Sequence, residues 1–154
     1  GKYIAELVHS VRIIREGKVI DLPVEECGYS YKNSVFMHTE DFILGATLCL
    51  ERATQEVING EIQRWLDKRA HLPKGKSMGC VFKNHMGTSA GILIDGAGLK
   101  GVRIGGAKVS EIHANFIIND QNATAADIRA LIGLIKDAVY KTYGIMLEEE
   151  IRYI

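Results

Sequence analysis

Proline is scarce in this chain of 154 residues: two occur, Pro23 and Pro73. Proline fixes its own backbone and lacks an N–H, so each marks the end of an element. Cysteine is scarce as well, with Cys27, Cys49 and Cys80 odd in number, widely spaced and without a CxxC pair. That pattern excludes a disulfide framework and a zinc site and fits a reducing, cytoplasmic setting. A net charge is missing: Lys plus Arg and Asp plus Glu stand at 19 each. A balanced chain sets up no field to steer nucleic acid or an anionic membrane to its whole surface. No apolar run approaches the roughly 18 residues that span a bilayer, and the first residues lack a charged-then-apolar export signal. Internal repeats and low-complexity tracts are absent too.

What is present is globular. The hydrophobic fraction of 47% and charged fraction of 25% belong to a folded chain with room for one ordinary domain, or a small domain plus part of another. Val11, Ile13, Val19, Ile20 and Leu22 surround a Glu16-Gly17-Lys18 turn and predict a hairpin over 10–22, closed by Pro23. Glu25 to Gly28 reads as a short helical turn ended by glycine, and 29–34 as a polar, aromatic loop. The apolar run 42–50 predicts a buried strand. Val57, Ile58, Ile62, Trp65 and Leu66 recur at helical spacing over 54–69, an amphipathic helix stopped near Pro73. Residues 74–77 then read as a loop. Thr88 or Ser89 is placed to cap a helix over 90–97 with Gly98 at its end, and 102–104 and 114–118 read as short strands. Thr124 and Asp127 form a helix-start pair ahead of Ile128, Leu131, Ile132, Ile135 and Val139, one face of a helix ending near Gly144. Residues 147–154 alternate enough to predict a final strand.

Gly96-Ala97-Gly98-Leu99-Lys100-Gly101 fits the dinucleotide pattern GxGxxG. That pattern works when the third glycine opens a long helix whose N-terminus holds a pyrophosphate. Val102-Arg103-Ile104-Gly105-Gly106 follows instead, and adjacent glycines cost a helix roughly 2 kcal/mol relative to alanine. The run therefore reads as a helix cap and a tight turn.

Three stretches concentrate useful chemistry: Tyr31-Lys32-Asn33-Ser34, Gly79-Cys80-Val81-Phe82-Lys83-Asn84, and Leu147-Glu148-Glu149-Glu150-Ile151-Arg152. Gly79-Cys80 reads as a loop where backbone approaches a ligand. Taken singly, Cys80 is a small apolar group, Lys32 and Lys83 are solvated charges, and the glutamates are a polar edge. If Leu147 and Ile151 face a core, so does Glu149, and alternation alone does not say which glutamate is functional.

In order, these stretches and those between them resemble the UDP-N-acetylenolpyruvoylglucosamine reductase family, flavoenzymes that make UDP-N-acetylmuramate for peptidoglycan. The resemblance runs from about residue 1 to 154. Its carriers are Glu25-Glu26-Cys27, then Tyr31, Lys32, Ser34 and Phe36, then the motif at 79–84, Ala90-Gly91-x-Leu93-Ile94 and Leu99-Lys100-Gly101-x-x-Ile104-Gly105-Gly106-Ala107. His113-Ala114-Asn115-Phe116, the helix start at 123–127 and Leu147-Glu148-x-Glu150-Ile151-Arg152 complete it. The spacing between Phe36 and Gly79 is that of the shorter subtype.

The resemblance implies an NADPH- and FAD-dependent reduction in which hydride reaches C3 of an enolpyruvyl ether and an acid protonates C2. Cys80 stands at the acid's position, where the family has serine; a thiol, with a reference pKa of about 8.5, is a reasonable donor. Glu150 matches the second catalytic group. Lys32 matches an arginine that sets positive charge against the substrate carboxylate and developing enolate; lysine keeps the charge and loses the bidentate fork. Tyr31, Lys83, Asn84 and His113 match positions that contact the nucleotide-sugar substrate. His85 departs from the motif's usual proline, which predicts a less rigid loop after Asn84.

The implied fold is α+β: residues 1–51 as the end of a flavin-binding domain and 52–154 as a small α+β substrate-binding domain. The glycine-rich loops that hold the FAD pyrophosphate in the family lie upstream of the matched region. The isolated chain is therefore expected to bind FAD poorly and not to turn over. The rival reading is a non-catalytic nucleotide-sugar-binding module in which Cys80 and Lys32 mark lost chemistry.

Overall fold

A computed structural model describes residues 3–153. The fold is α+β, with helices, antiparallel sheets and two compact units, 1–59 and 60–154.

The first unit is built on the predicted hairpin. β1 (Val8–Arg15) pairs antiparallel with β2 (Lys18–Pro23) through Val11↔Leu22 and Ile13↔Ile20. Glu16 and Gly17 both take left-handed backbone, with φ of +51° and +73°, the geometry whose twist matches a two-residue hairpin. Pro23 is tolerated because β2 is the sheet edge in the order β2-β1-β3. The turn Val24–Cys27 ends at Gly28 as expected. Val8, Val11, Ile13, Leu22 and Cys27 form a small core against Val24, Tyr29, Val35 and Phe36. Arg15 grips the Asp41 carboxylate through both oxygens, at 2.9 and 2.8 Å, and fastens β1 to the start of β3 (Phe42–Leu48).

β3 corrects one expectation. The strand forms, and pairs with β1, yet it is not buried: Phe42 is 73% exposed and Ile43 56%. An apolar run reports strand propensity; coverage depends on a second layer, and the described residues lay none over it. The same holds for α1 (Gln55–Ala70), which forms where the helical spacing placed it and buries none of its residues. Trp65 lies instead beside the cations of its own helix, Lys68 at 4.6 Å and Arg64 at 5.6 Å.

The second unit holds a four-stranded antiparallel sheet in the order β4-β7-β6-β5. Its strands are β4 (Ser77–Cys80), β5 (Arg103–Ile104), β6 (Ala107–Val109) and β7 (Phe116–Asn119). Val109, Ile117, Leu93, Ile94, Leu131, Ile135 and Val139 join one core from the sheet and both helices, α2 (Ala90–Gly96) and α3 (Ala125–Tyr143). α3 starts as predicted: the Thr124 hydroxyl accepts from Asp127 N–H at 3.1 Å, and Asp127 accepts from Thr124 N–H at 2.9 Å. α2 lacks the expected side-chain cap at Ser89. Its other end is a two-bond glycine cap: Gly98, with φ +73°, donates to Asp95 O and Leu99 N–H reaches back to Ile94 O.

No long helix follows Gly101. Residues 103–104 are β5, and Gly105-Gly106 turn the chain into β6. The dinucleotide pattern is thus a helix cap followed by a hairpin. Two further expectations are corrected. Gly79 and Cys80 lie on β4 and not in a loop, and 147–153 forms no strand beyond a single bridge, Phe82↔Glu149. Gly79 looked like a loop residue because a left-handed glycine is common there; here its φ of +83° serves the register shift between Ser77↔Ile118 and Cys80↔Phe116.

Candidate active site

β4 delivers Cys80, half-buried and outside any disulfide, to the edge of the second unit's core. The two residues after it, Val81 and Phe82, are each 1% exposed, so the segment carrying the thiol is anchored by its neighbours. The anchor's polar part is Asn115, itself buried. Its Oδ1 accepts from Phe82 N–H at 2.9 Å and its Nδ2 donates to Phe82 O at 2.8 Å, while its own carbonyl accepts from Val81 N–H. One amide side chain thereby satisfies both backbone groups of a residue that lies outside any strand.

The end of the chain runs beside this segment. Lys83 N–H donates to Glu148 O and Glu150 N–H donates to Val81 O, both at 2.8 Å. Glu150 is therefore backbone-bonded to the residue after Cys80. Leu147 is buried and Glu149 and Glu150 are both half-buried, so burial does not alternate here, whereas Glu148 is exposed and pairs with the Lys83 ammonium. Burial pushes the Glu149 carboxyl up, but the hydrogen bonds from Lys136 and Tyr153 outweigh it and leave the group below the ordinary glutamate value.

Past Lys83 the chain folds into a tight turn. Asn84 Oδ1 accepts from Ala90 N–H at 3.2 Å. His85 N–H donates to Thr88 O at 3.0 Å and Thr88 N–H returns to His85 O at 2.8 Å, around Met86 and Gly87, both with positive φ. The proline usual at position 85 has no N–H and could not make the first of these bonds. His113 sits nearby in sequence to the anchor: its Nδ1 accepts from Asn115 N–H at 3.2 Å, which assigns the ring proton to Nε2. The ring packs on Phe116 at 5.0 Å and lines a cleft of about 170 Å³ with Ser89, Ile92, Asp95 and Lys100.

Cys80, Lys83, Asn84, His113 and Glu150 thus all belong to the second unit, and its backbone bonds bring the segments of Cys80 and Glu150 side by side. Tyr31 and Lys32 belong to the first. They occupy the tip of a turn closed by reciprocal bonds between Ser30 and Asn33, at 3.1 and 3.2 Å, and both are exposed. Lys32 has φ +53°, a left-handed conformation that costs a non-glycine residue about 1 kcal/mol. Sequence reasoning included Asn115 in a motif without giving it a task. The signal was an amide standing alone in the apolar stretch 114–118, where a polar group is held only if it is fully bonded.

As for cofactors, a pyrophosphate needs backbone N–H groups around an open cradle. Gly105 and Gly106 leave no such space: a Cβ on Gly106 would fall 2.3 Å from Gln121 O, and one on Gly105 2.3 Å from Asp127 Oδ1. Gly98 and Gly101 are less crowded but open no long helix that could hold a phosphate, so the run does not fit the pyrophosphate of FAD. Among the described residues no cluster of His, Cys, Asp or Glu is arranged to hold a metal, and no helix is long and apolar enough to cross a membrane.

Residues 70–154 match the family described as UDP-N-acetylenolpyruvoylglucosamine reductase, C-terminal domain. The UDP-N-acetylenolpyruvoylglucosamine reductase of Chlamydia abortus is 42% identical over 154 residues, covering 97% of this chain and 51% of the relative. That of Geobacter metallireducens is 40% identical over 156 residues, covering 100% and 52%. The crystal structure of UDP-N-acetylenolpyruvylglucosamine reductase from Thermus caldophilus superposes with a TM-score of 0.84 at 34% identity, over 97% of this chain and 53% of that one. The chain spans about half the length of the curated relatives it matches. The family match covers the segments of Cys80, Asn115 and Glu150, and on these findings the chain belongs to the UDP-N-acetylenolpyruvoylglucosamine reductase family.

Proposed function

We propose that the chain is the C-terminal part of an FAD- and NADPH-dependent reductase that converts UDP-N-acetylglucosamine enolpyruvate to UDP-N-acetylmuramate, in the cytoplasm, for peptidoglycan synthesis. Residues 1–51 are assigned to the end of its flavin-binding domain and 52–154 to its substrate domain. The observation that carries this reading is the Glu150 N–H bond to Val81 O beside the Asn115 anchor. It supports a shared task for Cys80 and Glu150, the two groups that the family resemblance makes catalytic.

The chain's own part in the reaction is proton delivery and charge. The Cys80 S–H gives its proton to C2 of the substrate, and water reprotonates the thiolate. Glu150 stabilises the enol form or assists that transfer. Lys32 supplies positive charge to the substrate carboxylate, and Tyr31, Lys83, Asn84 and His113 contact the nucleotide sugar. The pyrophosphate cradle is assigned to the part of the relatives that this chain does not span. The isolated chain is expected to retain no flavin absorbance through gel filtration; a retained flavin would contradict that assignment.

The test is turnover by the intact reductase. NADPH oxidation is expected to require the enolpyruvyl substrate and to yield UDP-N-acetylmuramate. Tight binding of the nucleotide sugar with no NADPH consumed would make the protein a non-catalytic binding module instead.

A further inference from the structure

After Gly144 the chain turns back along the second unit with little backbone support. One bridge, Phe82↔Glu149, and the bonds of Lys83 and Glu150 to their opposite carbonyls hold residues 148–150. A segment with so few backbone bonds opens locally unless something else holds it. Leu147 is buried and Ile151 packs partly against the core, but neither fixes the tail along its own length.

Side chains do. The Glu149 carboxylate is used at both oxygens: Oε1 takes the Lys136 ammonium and Oε2 accepts from the Tyr153 hydroxyl at 2.6 Å. The Tyr153 ring in turn lies 4.8 Å from the Arg129 guanidinium. Lys136 and Arg129 are seven residues apart on α3, so they share one face two turns from each other. Glu149 and Tyr153 flank Glu150, Ile151 and Arg152. The tail is thus tied to α3 on both sides of Glu150, while Glu148 ties it to Lys83 on the other flank. The Lys136–Glu149 pair is partly desolvated, with side chains 30% and 20% exposed, where an ion pair counts for more than at the open surface.

We propose that Lys136 and Glu149, with Tyr153, form a clasp whose work is to position Glu150 against the Cys80 segment. Neither residue touches the reacting atoms; both are positioning residues. The proposal rests on the catalytic reading of Glu150 above.

The test uses the intact reductase carrying Lys136→Met or Glu149→Gln, with Lys136→Arg as the conservative variant and Glu150→Gln as the control on the underlying reading. Amide hydrogen exchange at Lys83 and Glu150 is expected to quicken about 10-fold or more in the first two variants, with α3 unchanged. kcat is expected to fall about 10- to 100-fold while KM for the enolpyruvyl substrate stays within about 2-fold. Lys136→Arg restores both. A melting-temperature loss with normal exchange at Lys83 and Glu150 overturns the clasp. Faster exchange with unchanged kcat overturns its positioning role. If Glu150→Gln also leaves kcat intact, the catalytic reading of Glu150 has failed, and exchange alone still judges the clasp. Tyr153→Phe, which removes one hydroxyl, repeats the exchange measurement should either charged variant fold poorly.

Discussion

Asn115 and Asp41 show how much a single polar side chain does when its surroundings leave it few partners. Asn115 bonds the N–H and C=O of Phe82 from within the core. Replacing it by leucine strips both backbone groups of partners, and a buried unpaired polar group costs about 1–3 kcal/mol. Asn115→Leu is therefore expected to lose about 2–4 kcal/mol in urea unfolding, and to quicken exchange at Phe82 ahead of the rest of the sheet. Asp41 is the electrostatic counterpart in the first unit. The Arg15 fork, helped by the Thr39 hydroxyl, holds its carboxyl down at about 2. A carboxyl depressed in the folded state contributes its stability above the unfolded value of about 3.9, and loses it as pH falls toward the folded one. NMR titration should place the Asp41 midpoint at about 2, and Arg15→Gln should return it toward about 3.9.

At the scale of elements, glycines separate local preference from packing. Gly133 lies inside α3 with nothing within 4 Å of where a Cβ would go, whereas a Cβ on Gly106 would meet Gln121 O, Ala123 N and Ala123 Cα. The same substitution therefore has opposite signs. Gly133→Ala should stabilise by about 1 kcal/mol through helix propensity. Gly106→Ala should destabilise by about 3 kcal/mol, because the opposing atoms are backbone and do not rotate away. Thermal unfolding of the two variants checks both. The elements legible in the sequence were those with a local code: the Glu16-Gly17 turn, the Gly28 stop, the Thr124–Asp127 pair and the periodic face of α3. β4, β6 and the tail were not legible. β6 is only three residues long, too short for a periodic signal, and β4 carries a left-handed glycine at its register shift. The tail alternates like a strand but finds one bridge.

Across the whole molecule, the same division separates what residues specify alone from what their context supplies. Leu44, from a run read as a buried strand, and Trp65, from the apolar side of a predicted amphipathic helix, are both exposed; their apolar character was visible, while the layer that would cover them is not among the described residues. The candidate site was legible as far as its residue types. Cys80, Lys83 and Glu150 stood out through family resemblance, and their juxtaposition depends on non-local backbone bonds across Val81, Phe82 and Glu149 that no spacing in the chain reveals. The proposed mechanism turns on Cys80 as the proton donor to C2, and single-turnover kinetics of Cys80→Ala in the intact reductase isolates that step. NADPH should still reduce the enzyme at the unaltered rate, while formation of UDP-N-acetylmuramate slows at least about 100-fold. Product formation at the unaltered rate would contradict the claim.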